Sequence, residues 1–264
     1  MPKKSPDEKQ IEDLLAEAQK PGEAAMKRHA YYTGKIATIP KCPIRTLDDF
    51  SVWYTPGVAA PCRAIAESPE EVFELTNKGN TVAIISDGSR VLGLGNIGPE
   101  AGLPVMEGKS LIFKYLGGID AVPIMLEVDG SDAFVETVLR LQPGFGGIDL
   151  EDIAQPKCFS ILKRLQQEAH IPVWHDDQQG TATVTLAGLM NAIKVVGKKK
   201  EDIRIAFIGA GAANVAISRL IFAWGVDPAQ SILVDAGGIL GKYRTDFPEG
   251  SPGWRLSQTT NTDN

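Results

Sequence analysis

Residues 203–235 constrain the fold more than any other stretch. IRIAFI (203–208) is a short apolar run rich in β-branched residues, and it leads into Gly209-Ala210-Gly211-Ala212-Ala213-Asn214. A helical pattern follows, and SILVD (231–235) reads as a second strand. Strand, Gly-rich turn, helix and strand in that order specify a parallel β-α-β unit, since parallel neighbours need a crossover and a helix supplies one. Glycines at 209 and 211 allow a tight turn and bring backbone N–H groups toward a pyrophosphate at the positive end of the helix. Asn214 stands where a third glycine is usual, while Ala212 and Ala213 keep side chains small where helix meets strand. Asp235 ends the second strand, where a carboxylate accepts from an adenosine ribose and repels a 2′-phosphate, so NAD is favoured over NADP. Lys242 and Arg244 follow closely in sequence and can serve a 2′-phosphate, which leaves NADP open. A Gly-rich turn without a ligand is the competing reading.

Upstream, the chain also alternates strands with helices. TVAIIS (81–86), SLIFKYL (110–116), AVPIML (121–126) and IPVWH (171–175) read as buried parallel strands. A helix is predicted over 7–25, with Ile11, Leu14, Leu15 and Ala18 on one face and an end near Pro21-Gly22. Ser68-Pro69-Glu70-Glu71 reads as a capping box, Ser131 as a second helix start, and 180–196 as a long helix. The charged stretch 197–202 marks a domain boundary. The predicted architecture is therefore α/β: a first domain over 1–197, then the start of a Rossmann-type dinucleotide-binding domain over 198–264, with sites at strand ends.

Composition narrows the function classes. The chain has 264 residues, 43% of them hydrophobic and 23% charged, which suits a globular protein. A net charge of -6 without a basic stripe argues against nucleic-acid binding. Cys42, Cys62 and Cys158 lack C-x-x-C spacing, so reduced thiols are expected. His29, His170 and His175 are too scattered for a zinc hydrolase. The first twenty residues are charged and lack the apolar core of a signal peptide, and no run approaches membrane-spanning length, so a cytoplasmic location is expected.

Two acidic pairs stand out, Glu151-Asp152 after GFGGIDL and Asp176-Asp177 at the end of IPVWH. Adjacent carboxylates repel unless a cation or Arg joins them, and Mg²⁺ or Mn²⁺ prefers such oxygen ligands. Solvated surface acids and a helix cap fit the spacing equally well. Tyr54 in VWYTPGVAAPC, Arg90 in SDGSRVLGLGNIG and Lys109 in PVMEGK are residue types able to donate a proton, clamp a carboxylate and act as a base; taken singly, the bland reading as core, rim or surface residues wins.

Taken together, YTPGVA, SDGSRVLGLGNIG, PVMEGK, GGIDLEDI and HDDQQGTA, in that order and followed by the G-x-G unit, resemble the bacterial-type malic enzyme family over roughly Ser51 to Asp235. The resemblance implies oxidative decarboxylation of malate to pyruvate and CO₂ with reduction of NAD or NADP and a divalent metal, Mg²⁺ or Mn²⁺. It assigns Tyr54 as the acid that protonates the enol, Lys109 as the base in its neutral form, and Arg90 as a clamp on a substrate carboxylate. Glu151, Asp152 and Asp177 match the metal ligands, and Asp176 matches an active-site acid beside them. It also implies a homodimer or higher homo-oligomer. Gln179 stands where His is usual in many relatives. Family members continue beyond the position matching Asn264, so a truncated form with weak NAD binding and slow turnover is expected. A malolactic decarboxylase and a non-catalytic ligand-binding or regulatory fragment are the alternatives.

Overall fold

The computed structural model describes residues 6–260. Four helices lead in: α1 (Pro6–Tyr32), α2 (Asp49–Trp53), α3 (Ala59–Glu67) and α4 (Val72–Leu75). Next come β1 (Thr81–Ser86), α5 (Pro99–Gly117), β2 (Asp120–Met125), α6 (Gly130–Leu141), β3 (Gly147–Leu150), α7 (Lys157–Glu168) and β4 (Val173–His175). These strands form one parallel sheet in the order β2-β1-β3-β4. After α8 (Thr181–Val195) the chain builds a second sheet, ordered β5-β6-β7, from β5 (Ile205–Ile208), β6 (Ser231–Asp235) and β7 (Gly238–Ile239). The crossover helix α9 (Ala212–Ala223) joins the parallel pair β5 and β6, β7 returns antiparallel, and α10 (Pro252–Thr259) follows.

The run TVAIIS is apolar throughout because β1 is covered on both faces. Ala83 and Ile85 point into a core with Phe134, Val135 and Val138 of α6 and Ile161 and Leu165 of α7. Ile84, one residue out of phase, packs on Met106 of α5. Period two along a strand thus divides one sequence run between two helical layers. The second sheet gathers Phe207, Val215, Ile221 and Leu233, and α8 adds Ala182, Leu186 and Leu189 to the same core.

Several local expectations are overturned. SLIFKYL is the last part of α5, not a strand: Gly98-Pro99 starts that helix and Gly118, at φ 70, stops it, so the apolar run between them is helical. Helix α1 passes through Pro21 and Gly22 and ends at Tyr32. Its predicted stripe of Ile11, Leu14, Leu15 and Ala18 lies outside the described side chains. Ser68 caps nothing with its side chain and opens only a short 3₁₀ turn, and the N-cap of α6 is Asp129, not Ser131. GIDL, passed over as part of a Gly-rich segment, is the buried strand β3.

Strand order reverses around β1, so the carboxyl ends of β1 and β3 mark the switch point at which open α/β sheets bind ligands. Gly88 shapes that end of the sheet. It has φ 66, and a Cβ there would sit 2.1 Å from the Gly98 carbonyl oxygen. Gly88→Ala is expected to lower stability by about 3 kcal/mol, read as a shift in the urea midpoint at unchanged slope.

Candidate functional site

Two strands, β3 and β4, deliver the acidic groups. Leu150 pairs with both Ile85 and His175, so the residues just past the ends of β3 and β4 emerge side by side. Glu151 N donates to the Ile85 carbonyl at 3.0 Å, which aligns this end with β1. From above, α5 brings in Lys109. Its Nζ lies 2.8 Å from Glu151 Oε1 and 2.8 Å from Asp176 Oδ2.

Asp152 is held at φ 54, a left-handed conformation that aspartate tolerates better than most residues. Two bonds fix it there: Arg90 N donates to the Asp152 carbonyl at 2.9 Å, and Asp152 N donates to Asp177 Oδ2 at 3.1 Å. Asp176 and Asp177 start a single widened π-type turn (Asp176–Gly180) that runs into α8. Such turns insert one extra residue and redirect side chains. Gly180 is required in it, since a Cβ there would meet Asp176 Oδ1 at 2.0 Å. His175 is fully buried, and its Nδ1 lies 2.6 Å from Gln178 Nε2. An amide nitrogen only donates, so Nδ1 accepts and the ring proton sits on Nε2, 3.3 Å from Asp177 Oδ2.

A further acid escaped the sequence reading. Asp149 is buried on β3 next to Glu151, which lies two residues on and therefore on the same face. The available signal was that period-two relation within GIDLED. Burial pushes Asp149 up from the usual carboxylate range; burial, and then the Asp149 charge, pushes Glu151 up as well. Burial, then the charge of Asp177, raises Asp152 to about 6. Asp177 is only half-buried; burial by itself would raise it, but the His175 ring and the Asp152 N–H outweigh that and hold it below its usual value. Burial pulls Lys109 down, yet its bonds to Asp176 and Glu151 overcome this and raise it. The expectation of a neutral Lys109 therefore does not hold in this arrangement: the ammonium is kept charged by the two carboxylates it bridges.

The side chains of Tyr54 and Arg90 make none of the described hydrogen bonds or ion pairs with this cluster, although the Arg90 backbone touches it. Tyr54 caps α2 on an exposed turn, and among the described residues no hydrogen bond joins its hydroxyl to Lys109. Arg90 is anchored through its backbone, and its exposed guanidinium makes none of the described ion pairs. Among the described residues no three His, Cys, Asp or Glu side chains converge in ion-binding geometry. Asp149 Oδ1 and Asp152 Oδ2 are nevertheless buried without a hydrogen-bond partner. Buried carboxylate oxygens left open in this way suit a hard divalent cation.

The Gly-rich turn has the expected shape. Gly209 takes φ 100 after β5, and Asn214 Nδ2 donates to the Ile208 and Gly209 carbonyls at 2.8 and 2.9 Å. Asn214 thus braces the turn where a third glycine would leave it open. Gly211 opens α9, whose first turn has no side-chain cap and has Ala212, Ala213 and Asn214 as its first residues. That suits an anion. Asp235 ends β6 as expected, but it is not a free acceptor: Arg244 grips it with two bonds of 3.0 and 3.1 Å.

Two family models match this chain: "Malic enzyme, N-terminal domain" over residues 33–133 and 128–166, and "Malic enzyme, NAD binding domain" over 178–255. The chain belongs to the malic enzyme family. It is 51% identical over 232 residues to the NAD-dependent malic enzyme of Geobacillus stearothermophilus, covering 88% of this chain and 48% of that one. It is 52% identical over 218 residues to the bifunctional malic/malolactic enzyme of Bacillus subtilis, covering 83% and 53%. The crystal structure of Entamoeba histolytica malic enzyme superposes with a TM-score of 0.92 at 44% identity, covering 96% of this chain and 54% of that one. The chain spans about half the length of these malic enzymes. All three cysteines are free thiols, and among the described residues no helix is long and apolar enough to cross a membrane.

Asp149, Glu151 and Asp152 each hold a proton more tightly folded than unfolded, so folding takes up protons at these sites. Without added cation, the share of stability that these three groups contribute should therefore be lost as pH rises from about 5 through 6 and beyond. Thermal unfolding across that range in chelator checks this, and a midpoint that rises instead would contradict the burial argument.

Proposed function

We propose that the protein carrying this chain oxidatively decarboxylates malate to pyruvate and CO₂ with reduction of NAD or NADP. The observation that supports this best is the Lys109 ammonium bridging Glu151 and Asp176 beyond the carboxyl ends of β3 and β4, with Asp152 and Asp177 hydrogen-bonded beside it. In this reading Glu151, Asp152 and Asp177 hold Mg²⁺ or Mn²⁺, and the orphaned oxygen of Asp152 suits that task. The cation supplies Lewis acidity beside the substrate's hydroxyl and carboxylate, and the nicotinamide accepts the hydride.

The chain's own side chains do the rest. Arg90 clamps a substrate carboxylate with its exposed guanidinium. Lys109 takes the malate C2 hydroxyl proton, and to do so it must first give up a proton to a neighbouring carboxylate; Asp176, at 2.8 Å, is the acid placed to receive it. A cation held by Glu151 would offset that carboxylate's charge, so Lys109 would lose part of what keeps it protonated. Tyr54 protonates C3. We read the protein as a homodimer or higher homo-oligomer, a contact suited to the exposed Tyr31, Ile39, Leu47 and Tyr115. Gly209 to Asn214 cradle the pyrophosphate, and Asp235 receives the adenosine ribose. We place the boundary between substrate and nucleotide domains at 197/198, with α8 packed on the second core, and the protein in the cytoplasm.

In the full-length protein, Lys109→Ala and Asp177→Ala should each lower malate-dependent NADH formation by at least about a hundredfold; a variant with wild-type turnover removes that residue from the mechanism. Mn²⁺ should raise the thermal midpoint of the 264-residue chain more at about pH 8 than at about pH 5, because ligating carboxylates must be ionised, and Asp177→Ala should abolish the rise. The likeness to a bifunctional malic/malolactic enzyme favours a second reading, release of lactate without net reduction of the nucleotide. Assay of pyruvate against lactate separates the two.

A further inference from the structure

We propose that Asp246 sets the choice of nucleotide toward NAD by keeping Arg244 fully engaged. The inference rests on reading residues 209–214 as a nucleotide cradle. A guanidinium has five N–H bonds, and here each has an acceptor. Nε donates to Asp246 Oδ1 at 2.7 Å, and Nη2 donates to Asp246 Oδ2 at 2.6 Å and to Asp235 Oδ2 at 3.1 Å. Nη1 donates to Asp235 Oδ1 at 3.0 Å and to the Gly238 carbonyl at 3.4 Å. No donor is left over for a phosphate.

The same count leaves Asp235 with one opening. Oδ1 already accepts from Arg244 and from Gly237 N at 2.8 Å, while Oδ2 accepts from Arg244 alone. One lone pair on Oδ2 therefore remains, enough for a single ribose hydroxyl. Two carboxylates around one guanidinium also leave the cluster with a net charge of about -1, which admits a neutral hydroxyl and repels a phosphate.

The arginine is built in rather than draped over the surface. Its guanidinium lies 5.0 Å from the centre of the Phe247 ring. Gly237 makes room on one side, for a Cβ there would meet Nη2 at 2.9 Å, and Gly253 makes room for Phe247, where a Cβ would meet the ring at 2.4 Å. Arg244 and Asp235 are thus held in place, while the Asp246 carboxylate is mostly exposed. Removing Asp246 should free two N–H donors and neutralise the cluster without disturbing the packing. The saturated arginine then becomes a phosphate-binding one.

Calorimetric titration of the 264-residue chain with ADP-ribose and with its 2′-phosphorylated counterpart tests this. In the unaltered chain ADP-ribose should bind more tightly. In Asp246→Ala the preference should narrow by about tenfold or more through a gain in affinity for the 2′-phosphate, and the gain should weaken with added salt. Asp246→Asn, which keeps the shape and drops the charge, should move the same way. An unchanged ratio in both variants, with ADP-ribose still bound, overturns the role of Asp246 alone. Binding of neither ligand by the unaltered chain overturns the nucleotide cradle, and this inference with it.

Discussion

An ammonium wedged between two carboxylates holds the first domain's working edge together. Removing a carboxylate from water costs several kcal/mol unless something of opposite charge goes with it. Glu151 is almost fully buried at the end of β3, with Asp149 beside it, and Lys109 from α5 is the cation that makes this placement tolerable. The compensation is incomplete: Asp149 and Glu151 are still pushed toward their protonated forms. A cluster with more acid than base, buried at Asp149, Glu151 and Asp152 and short of hydrogen bonds there, has a standing affinity for a further positive charge. The proposed divalent ion answers that shortage, and the fold keeps it unfilled by giving the cluster one lysine for five acids.

Much of this was legible from the residues. β1, β2, β4, β5 and β6 announce themselves as short apolar runs, and the strand, Gly-x-Gly, helix, strand order gives the parallel pair β5 and β6 but not the short antiparallel β7. What failed was the choice between helix and strand for SLIFKYL, where apolar content is the same for both and only the distant Gly98-Pro99 and Gly118 signals decide. β3 was missed because GIDL holds a glycine and an aspartate, residues that strands avoid unless the surroundings demand them. Asp149 was lost with it. The acidic pairs were visible as pairs, but the lysine that joins Glu151 to Asp176 lies 67 positions from one of them, and no local pattern carries that information. The same holds for Asp246, whose contact with Arg244 is local but whose effect depends on counting every bond the guanidinium makes.

One element links the two sheets. The turn that carries Asp176 and Asp177 continues directly into α8, and α8 packs on α9, the helix whose first turn follows the Gly-rich loop. The acids beside Lys109 and the anion-receiving helix end are therefore attached to neighbouring rigid elements. Gly180 sits at the junction, where any side chain would strike Asp176. The widened turn is best understood as a joint that lets β4 end at one domain's acidic cluster while its following helix serves the other domain's core.

The two charged clusters differ in a way that matches their proposed work. Around Arg244 every donor has an acceptor and the geometry is bidentate, so the cluster is closed, and a closed cluster discriminates by what it refuses. Around Lys109 acceptors outnumber donors, oxygens of Asp149 and Asp152 are left over, and the cluster is open. Open valences buried in a low-dielectric edge are costly to keep, and they persist where binding or chemistry uses them. Satisfaction of hydrogen bonds, read atom by atom, therefore separates the part of this chain suited to selecting a nucleotide from the part suited to reacting with a substrate.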